Sequence, residues 1–338
     1  MRRALACLAL LASGCSLWFG DPRNSASTDL AGADLAGADL AGADLADIDL
    51  AQPMGDLAGM RWTMQTSQTT ANLRGLWGCS STDVHVVGVG VMLHLESGAW
   101  TKVTSPGSGA TFNAVSGNNC SNVYAAGMGG LIYYSNGNDV WTQQNSMTAQ
   151  DLWGMWGSRT SLALVASGAG AIETSTGGGA WAVATPTTGR TVVEGVGATV
   201  WLVGTGGQAF VSTDSGATFK AKNVPKFGTI DLYGLWISSD AQTVMVVGDG
   251  GNIWRSTNGG NSFKSQSSPT TNRLRSIWSP DGTEVFAVGD AGIILHSTDG
   301  GTSWLAENSQ VSSDLWKVWG TATNNVFAVG DGGVILRR

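Results

Sequence analysis

The chain has 338 residues, with 18 Lys and Arg against 25 Asp and Glu, 49 Gly, 7 Pro and 15 Trp. That length admits one large all-β domain or two smaller ones, and abundant Gly beside scarce Pro points to many tight turns. No basic stripe exists to neutralise phosphates, so nucleic acid is excluded as an expected partner.

Residues 1–15, "MRRALACLALLASGC", read as an export signal: Arg2 and Arg3, an apolar run from Ala4 to Ala12, then small residues before a Cys. The run is too short to span a bilayer. The ending "LASGC" resembles a bacterial lipobox, although Ala12 stands where that motif usually carries Leu. The resemblance implies that Cys15 is lipidated, becomes the mature N-terminus and makes the membrane a partner; plain secretion is the alternative. Ser16 fits the sorting pattern that sends such lipoproteins to an outer membrane.

Residues 16–59 contain the tract "TDLAGADLAGADLAGADLADIDLAQPMGDLAG" at 28–59. Its A-D-L-A-G period resembles pentapeptide-repeat proteins, which wind into a square β-helix. Five pentads make little more than one coil, with no neighbour on which to bury their Leu residues. The expectation is therefore an acidic, self-repelling tether. From Met60 onward 15 Lys and Arg face 17 Asp and Glu, so residues 60–338 form a near-neutral domain and the acidity sits in the tether.

Within that domain, aligning the apolar residue of each "LWG"-like phrase gives Trp77, Val115, Trp156, Val196, Trp236, Trp278 and Trp319, spaced 38 to 42 residues apart. A second apolar run follows each anchor, such as "VHVVG" or "VFAVG", then a tight turn such as "GDGG", then a third run such as "IILHST". Four short strands per period predict a propeller of seven blades. The last copy ends at Arg338 without a fourth strand, while "GMRWTMQTSQ" at 59–68 matches fourth strands such as "GTSWLAENSQ". The N-terminal strand is therefore expected to complete the last blade and remove its free edge.

The phrases "STDGGTSW" (297–304), "STNGGNSF" (256–263), "STDSGATF" (212–219) and a worn "STGGGAW" (175–181) follow third strands. They resemble the Asp-box of the BNR family, S-x-D-x-G-x-x-W, which includes sialidases, other glycoside hydrolases, sortilin-type receptors and photosystem II assembly propellers. The resemblance covers about 280 residues. It implies that Asp214, Asn258 and Asp299 are structural, bonding their own hairpins while the aromatic packs inside. It also implies that a functional site lies on the opposite face, among the turns from second to third strand.

The sialidase pattern fails here: the Arg-Ile-Pro phrase is absent, and Tyr124, Tyr133, Tyr134 and Tyr233 lack an assignable Glu partner. A hydrolase using two carboxylates would draw on Asp151, Asp231 and Asp314 at the starts of innermost strands, where turn-bonding is the plainer role. His85, His94 and His296 lack ligand spacing, so neither metal nor cofactor is expected. Cys79 and Cys120 follow the innermost strands of neighbouring blades, and export makes a disulfide between them plausible, with two thiols as the alternative.

One position of the innermost strands reads Arg74, Phe112, Trp153, Val193, Tyr233, Arg275 and Trp316. Aromatics and Arg at a channel mouth, beside Asp249, Asp290 and Asp331 of the adjacent turns, suit a sugar or a peptide. Packing between blades is the competing role. The expectation is a monomeric, lipid-anchored envelope protein that binds a protein or glycan there and catalyses nothing; a carbohydrate-active hydrolase of the same face is the alternative.

Overall fold

The computed structural model describes residues 61–104, 109–157, 164–168, 172–175, 180–185 and 189–338. The leader, Cys15 and the A-D-L-A-G tract lie outside them. The described residues form an all-β propeller. Its innermost strands are Leu73–Gly78, Phe112–Asn119, Leu152–Gly157, Thr191–Val196, Leu232–Ile237, Leu274–Trp278 and Leu315–Ala322.

Hydrogen bonding sorts the strands into four-stranded antiparallel sheets, seven in number. The expectation of seven blades nevertheless requires correction. Six blades are described through to their side chains; in the sheet built over Leu152–Thr185, most side chains beyond the innermost strand lie outside the described residues. Thr63 and Met64 pair with Arg337 and Leu336, so the first strand of the domain completes the sheet that holds the last.

Second strands such as Val84–Gly88, Val244–Gly248 and Val285–Gly289 are buried along their whole length. Their runs do not alternate because blades pack on both faces. The core accordingly lies between sheets: Leu76, Val86 and Leu93 of the first blade cluster with Phe327, Val329 and Ile335 of the closing blade. After second strands the chain turns sharply, as at Asp249-Gly250-Gly251, where Gly250 has φ 67° and Gly251 passes so close to Thr270 that a β-carbon would lie 2.0 Å from its carbonyl oxygen. Only glycine fits that second place.

The repeated Trp-Gly dipeptide acquires a physical reason. The tip of Trp77 lies 2.8 Å from where a β-carbon on Gly117 would stand, and Trp319 covers Gly78 in the same way at 2.7 Å. Each indole thus rests on the glycine of the next blade. Strand pairing corrects two of the anchors. Trp77 pairs with His85, three residues before the glycine ending its second strand; the equivalents are Ser116, opposite Tyr124, and Glu194, opposite Trp201. Val115 and Val196 are out of step. Cys79 and Cys120, in the loops after the first two innermost strands, are joined as a disulfide with their Cα atoms 5.2 Å apart.

Candidate functional site

Six of the innermost strands carry a β-bulge, and the extra residue is Arg74, Asn113, Trp153, Tyr233, Arg275 or Trp316. A bulge re-aims a side chain, and here it gathers these residues at one mouth of the central channel. Arg74, Asn113, Trp153, Tyr233, Arg275 and Trp316 line a common cavity with Arg190 and Lys317. The strand Thr191–Val196 pairs without a shift and contributes Val192 and Val193.

Phe112 does not belong to this set. It is buried at 1% exposure and packs edge-to-face on Tyr133, while the bulged neighbour Asn113 takes the place assigned to it. The bulge shifts the count by one, which no composition signal reveals. Trp153, Tyr233 and Trp316 are partly exposed, whereas Arg275 is buried.

The residue just before each innermost strand has a second role. Asn72, Asp151, Asp231 and Asp314 accept hydrogen bonds from the backbone N–H groups of Gly332, Gly129, Gly206 and Ala291 in the turns of the preceding blades, at 2.7 to 3.1 Å. Those side chains are latches between blades. The same position holds Arg273 and Arg190, two residues that residue type and spacing do not single out. Arg273 still latches, through an ion pair to Asp249 at 2.5 Å. Arg190 has no such ion pair among the described residues, and the sequence carries Ala169 where Asp249 stands in the later repeat.

The acids flanking the mouth are engaged. Asp290 and Asp314 both pair with Arg275, the latter at 3.0 Å, and Asp331 accepts from the Trp316 indole N–H at 2.8 Å. Arg74 donates to the Asn113 side-chain oxygen at 2.7 Å and lies 5.3 Å from the Trp316 ring centre. Arg190 lies 4.5 Å from Trp153, 5.2 Å from Tyr233 and 5.6 Å from Trp316. No carboxylate is within ion-pair distance of it among the described residues, and its Nε has no hydrogen-bond partner there.

Burial, followed by repulsion from Arg275, with Arg74 and Arg273 adding to it, lowers the Arg190 pKa to about 10. Burial likewise lowers that of Arg74. Arg190, ringed by aromatic faces and with no carboxylate in contact among the described residues, makes this mouth attractive to an anion. Its cavity is only about 50 Å³, room for water rather than a whole ligand.

On the opposite face Asp214, Asn258 and Asp299 are spent on their own turns. Asp299, for example, accepts from the Ser303 N–H at 2.8 Å while Ser297 Oγ accepts from Gly301; Asp214 and Asn258 bond Thr218 and Ser262 in the same manner.

The structure brings Asp83, His85 and His94 within 4.8 Å of one another, an association not legible in their spacing. The two rings stack at 4.1 Å and 12°, and Asp83 approaches His94 Nε2 at 3.1 Å and His85 Nε2 at 3.5 Å. The sixth blade repeats the arrangement with Phe286 under His296 and Glu284 as the acid. A stacked ring pair with an adjoining acid thus recurs in two blades.

This architecture defines a β-propeller with a cationic, aromatic channel mouth. A structure described as YCF48 bound to D1 peptide superposes with a TM-score of 0.68 at 18% identity, over 82% of this chain and 96% of that one. YCF48 from Cyanidioschyzon merolae gives 0.67 at 16%, covering 82% and 98%. A streptogramin B lyase gives 0.71 at 13%, covering 82% and 97%. At these identities the likeness shows the propeller fold. The family model for pentapeptide repeats matches residues 26–52, in eight copies, outside the described residues. No curated protein matches the chain.

Proposed function

We propose that this is an exported BNR-type propeller, anchored through lipid on Cys15 and held off the outer membrane by its A-D-L-A-G segment, which binds an acidic group of a protein or glycan without catalysis. The observation that carries the binding reading is Arg190, set among Trp153, Tyr233 and Trp316 with three further arginines nearby and no carboxylate in contact among the described residues. The D1 peptide bound by the YCF48 neighbour is consistent with a propeller of this shape accepting a chain segment. The engagement of Asp151, Asp231 and Asp314 as blade latches favours binding over two-carboxylate hydrolysis.

Calorimetry with a glutamate-rich peptide and an oligogalacturonate, at low and high salt, tests the reading. Binding of either, weakening as salt rises, supports it; no heat from both contradicts it. Release of reducing ends from a glycan panel would transfer the site to the hydrolase class. Fractionation of a Cys15→Ser variant tests the anchor, which requires that the variant leave the membrane.

A further inference from the structure

The channel has a second and larger opening, on the face of the Asp-box turns. Its cavity of about 460 Å³ falls within the range of small-molecule sites, whereas the arginine mouth holds about 50 Å³. The wall is one register of the innermost strands: Trp77, Ser116, Trp156, Glu194, Trp236, Trp278 and Trp319. Trp278 and Trp319 keep partial exposure into it. At its inner end stands Lys317, where the other bulged strands carry Gly75, Ala114, Gly154, Gly234 or Ser276.

Two features mark this space as a site. Five indoles wall the space, and two of them, Trp278 and Trp319, keep exposed aromatic surface of the kind on which the C–H face of a sugar ring packs. Glu194 and Lys317 both line the space; burial raises the pKa of the one and lowers that of the other, each partly countering the other's shift, and the two offer an acceptor and a donor. Glu194 also stands where five blades carry tryptophan, and the next blade carries Ile237 where Trp77, Trp156, Trp278 and Trp319 each meet a glycine. We propose that the tryptophan-lined vestibule binds an uncharged sugar of one or two rings, with its hydroxyls on Glu194 and Lys317. The vestibule opens on the opposite face from the arginine mouth and shares Lys317 with it, but the inference does not depend on the acidic-ligand reading.

Saturation-transfer NMR on the full chain, with glucose, N-acetylglucosamine and cellobiose as probes, tests it. Transfer to the ring protons of at least one is expected. Ser116→Trp should abolish that signal while preserving the melting temperature, because Gly157 of the next blade provides the seat for the new indole and the ring then narrows the cavity. Glu194→Gln should weaken the signal at least tenfold, and Lys102→Gln, at an exposed position of the outer strand Ala99–Lys102, should leave it unchanged. No transfer to any of the three sugars, or undiminished transfer in a folded Ser116→Trp variant, would overturn the proposal.

Discussion

Trp156 lies across Gly195 of the next blade, with ring atom Cε2 2.7 Å from where a β-carbon on that glycine would be. The contact joins two innermost strands, and Trp156 is only 6% exposed. The methyl group of Gly195→Ala would meet three ring atoms of the indole at 2.7 to 3.0 Å. Overpacking of this kind costs about 1–3 kcal/mol, so the variant should melt several degrees below wild type. A melting temperature unchanged within error would show that the indole moves freely and does not lock the blades.

The Cys79–Cys120 bridge closes a segment of 41 residues between neighbouring blades. On the chain-entropy account a loop of that length contributes about 4 kcal/mol, less any strain. Denaturant unfolding with and without reductant should therefore separate by roughly that amount. Coincident curves would mean that blade packing alone holds the first two sheets together.

Acid tests the turns. Hydrogen bonds from Ser212 and then Thr218 hold Asp214 at a pKa of about 2, and those from Ser303 hold Asp299 at about 2. An unfolded Asp titrates near about 3.9, so the stabilisation is complete above that pH and is lost as pH falls toward 2. The third turn carries Asn258 and cannot titrate there. The double variant Asp214→Asn, Asp299→Asn should flatten the loss of stability between about pH 4 and pH 2; an unaltered acid limb would place the titration elsewhere.

Arg275 and Tyr233 should behave differently. Arg275 is buried and joins Asp290 of its own blade to Asp314 of the closing blade. Removing it strands two carboxylates that remain about one-third exposed, so Arg275→Ala should cost about 2 kcal/mol, below the 3–5 of a fully buried pair. Tyr233 is partly exposed, and its hydroxyl makes one long bond of 3.4 Å to Asp231. Tyr233→Ala should leave the melting temperature nearly unchanged. Equal destabilisation by both changes would make the tyrosine a packing residue.

The blade period is legible in the sequence because four apolar runs with Gly-rich turns between them are a local signal repeated down the chain. The mouth is legible only in part. Arg74, Trp153, Tyr233 and Trp316 follow from register, but register assigns Phe112 in place of Asn113, because a β-bulge is a backbone event that residue type does not announce. Arg190 escapes a reading by residue type because its importance is relational: it stands where other blades carry a latching Asn or Asp, and the preceding repeat carries Ala169 where later repeats carry Asp. That substitution pair is visible in the sequence once the latch is known. The vestibule needs the same correction, since Glu194 joins the tryptophan register only when the strand pairing replaces Val196 as anchor.

Arg190 supplies the most direct test of the claim that the mouth is built to bind an anion. Surrounded by Arg74, Arg273 and Arg275 and desolvated, its charge is held at a cost to the fold, as functional groups often are. The measurement is the melting temperature of Arg190→Gln together with its affinity for the glutamate-rich peptide. The account predicts a melting temperature equal to or above that of wild type and at least a tenfold loss of affinity. A folded variant that binds as wild type does, or one that is less stable and binds no less well, would contradict it.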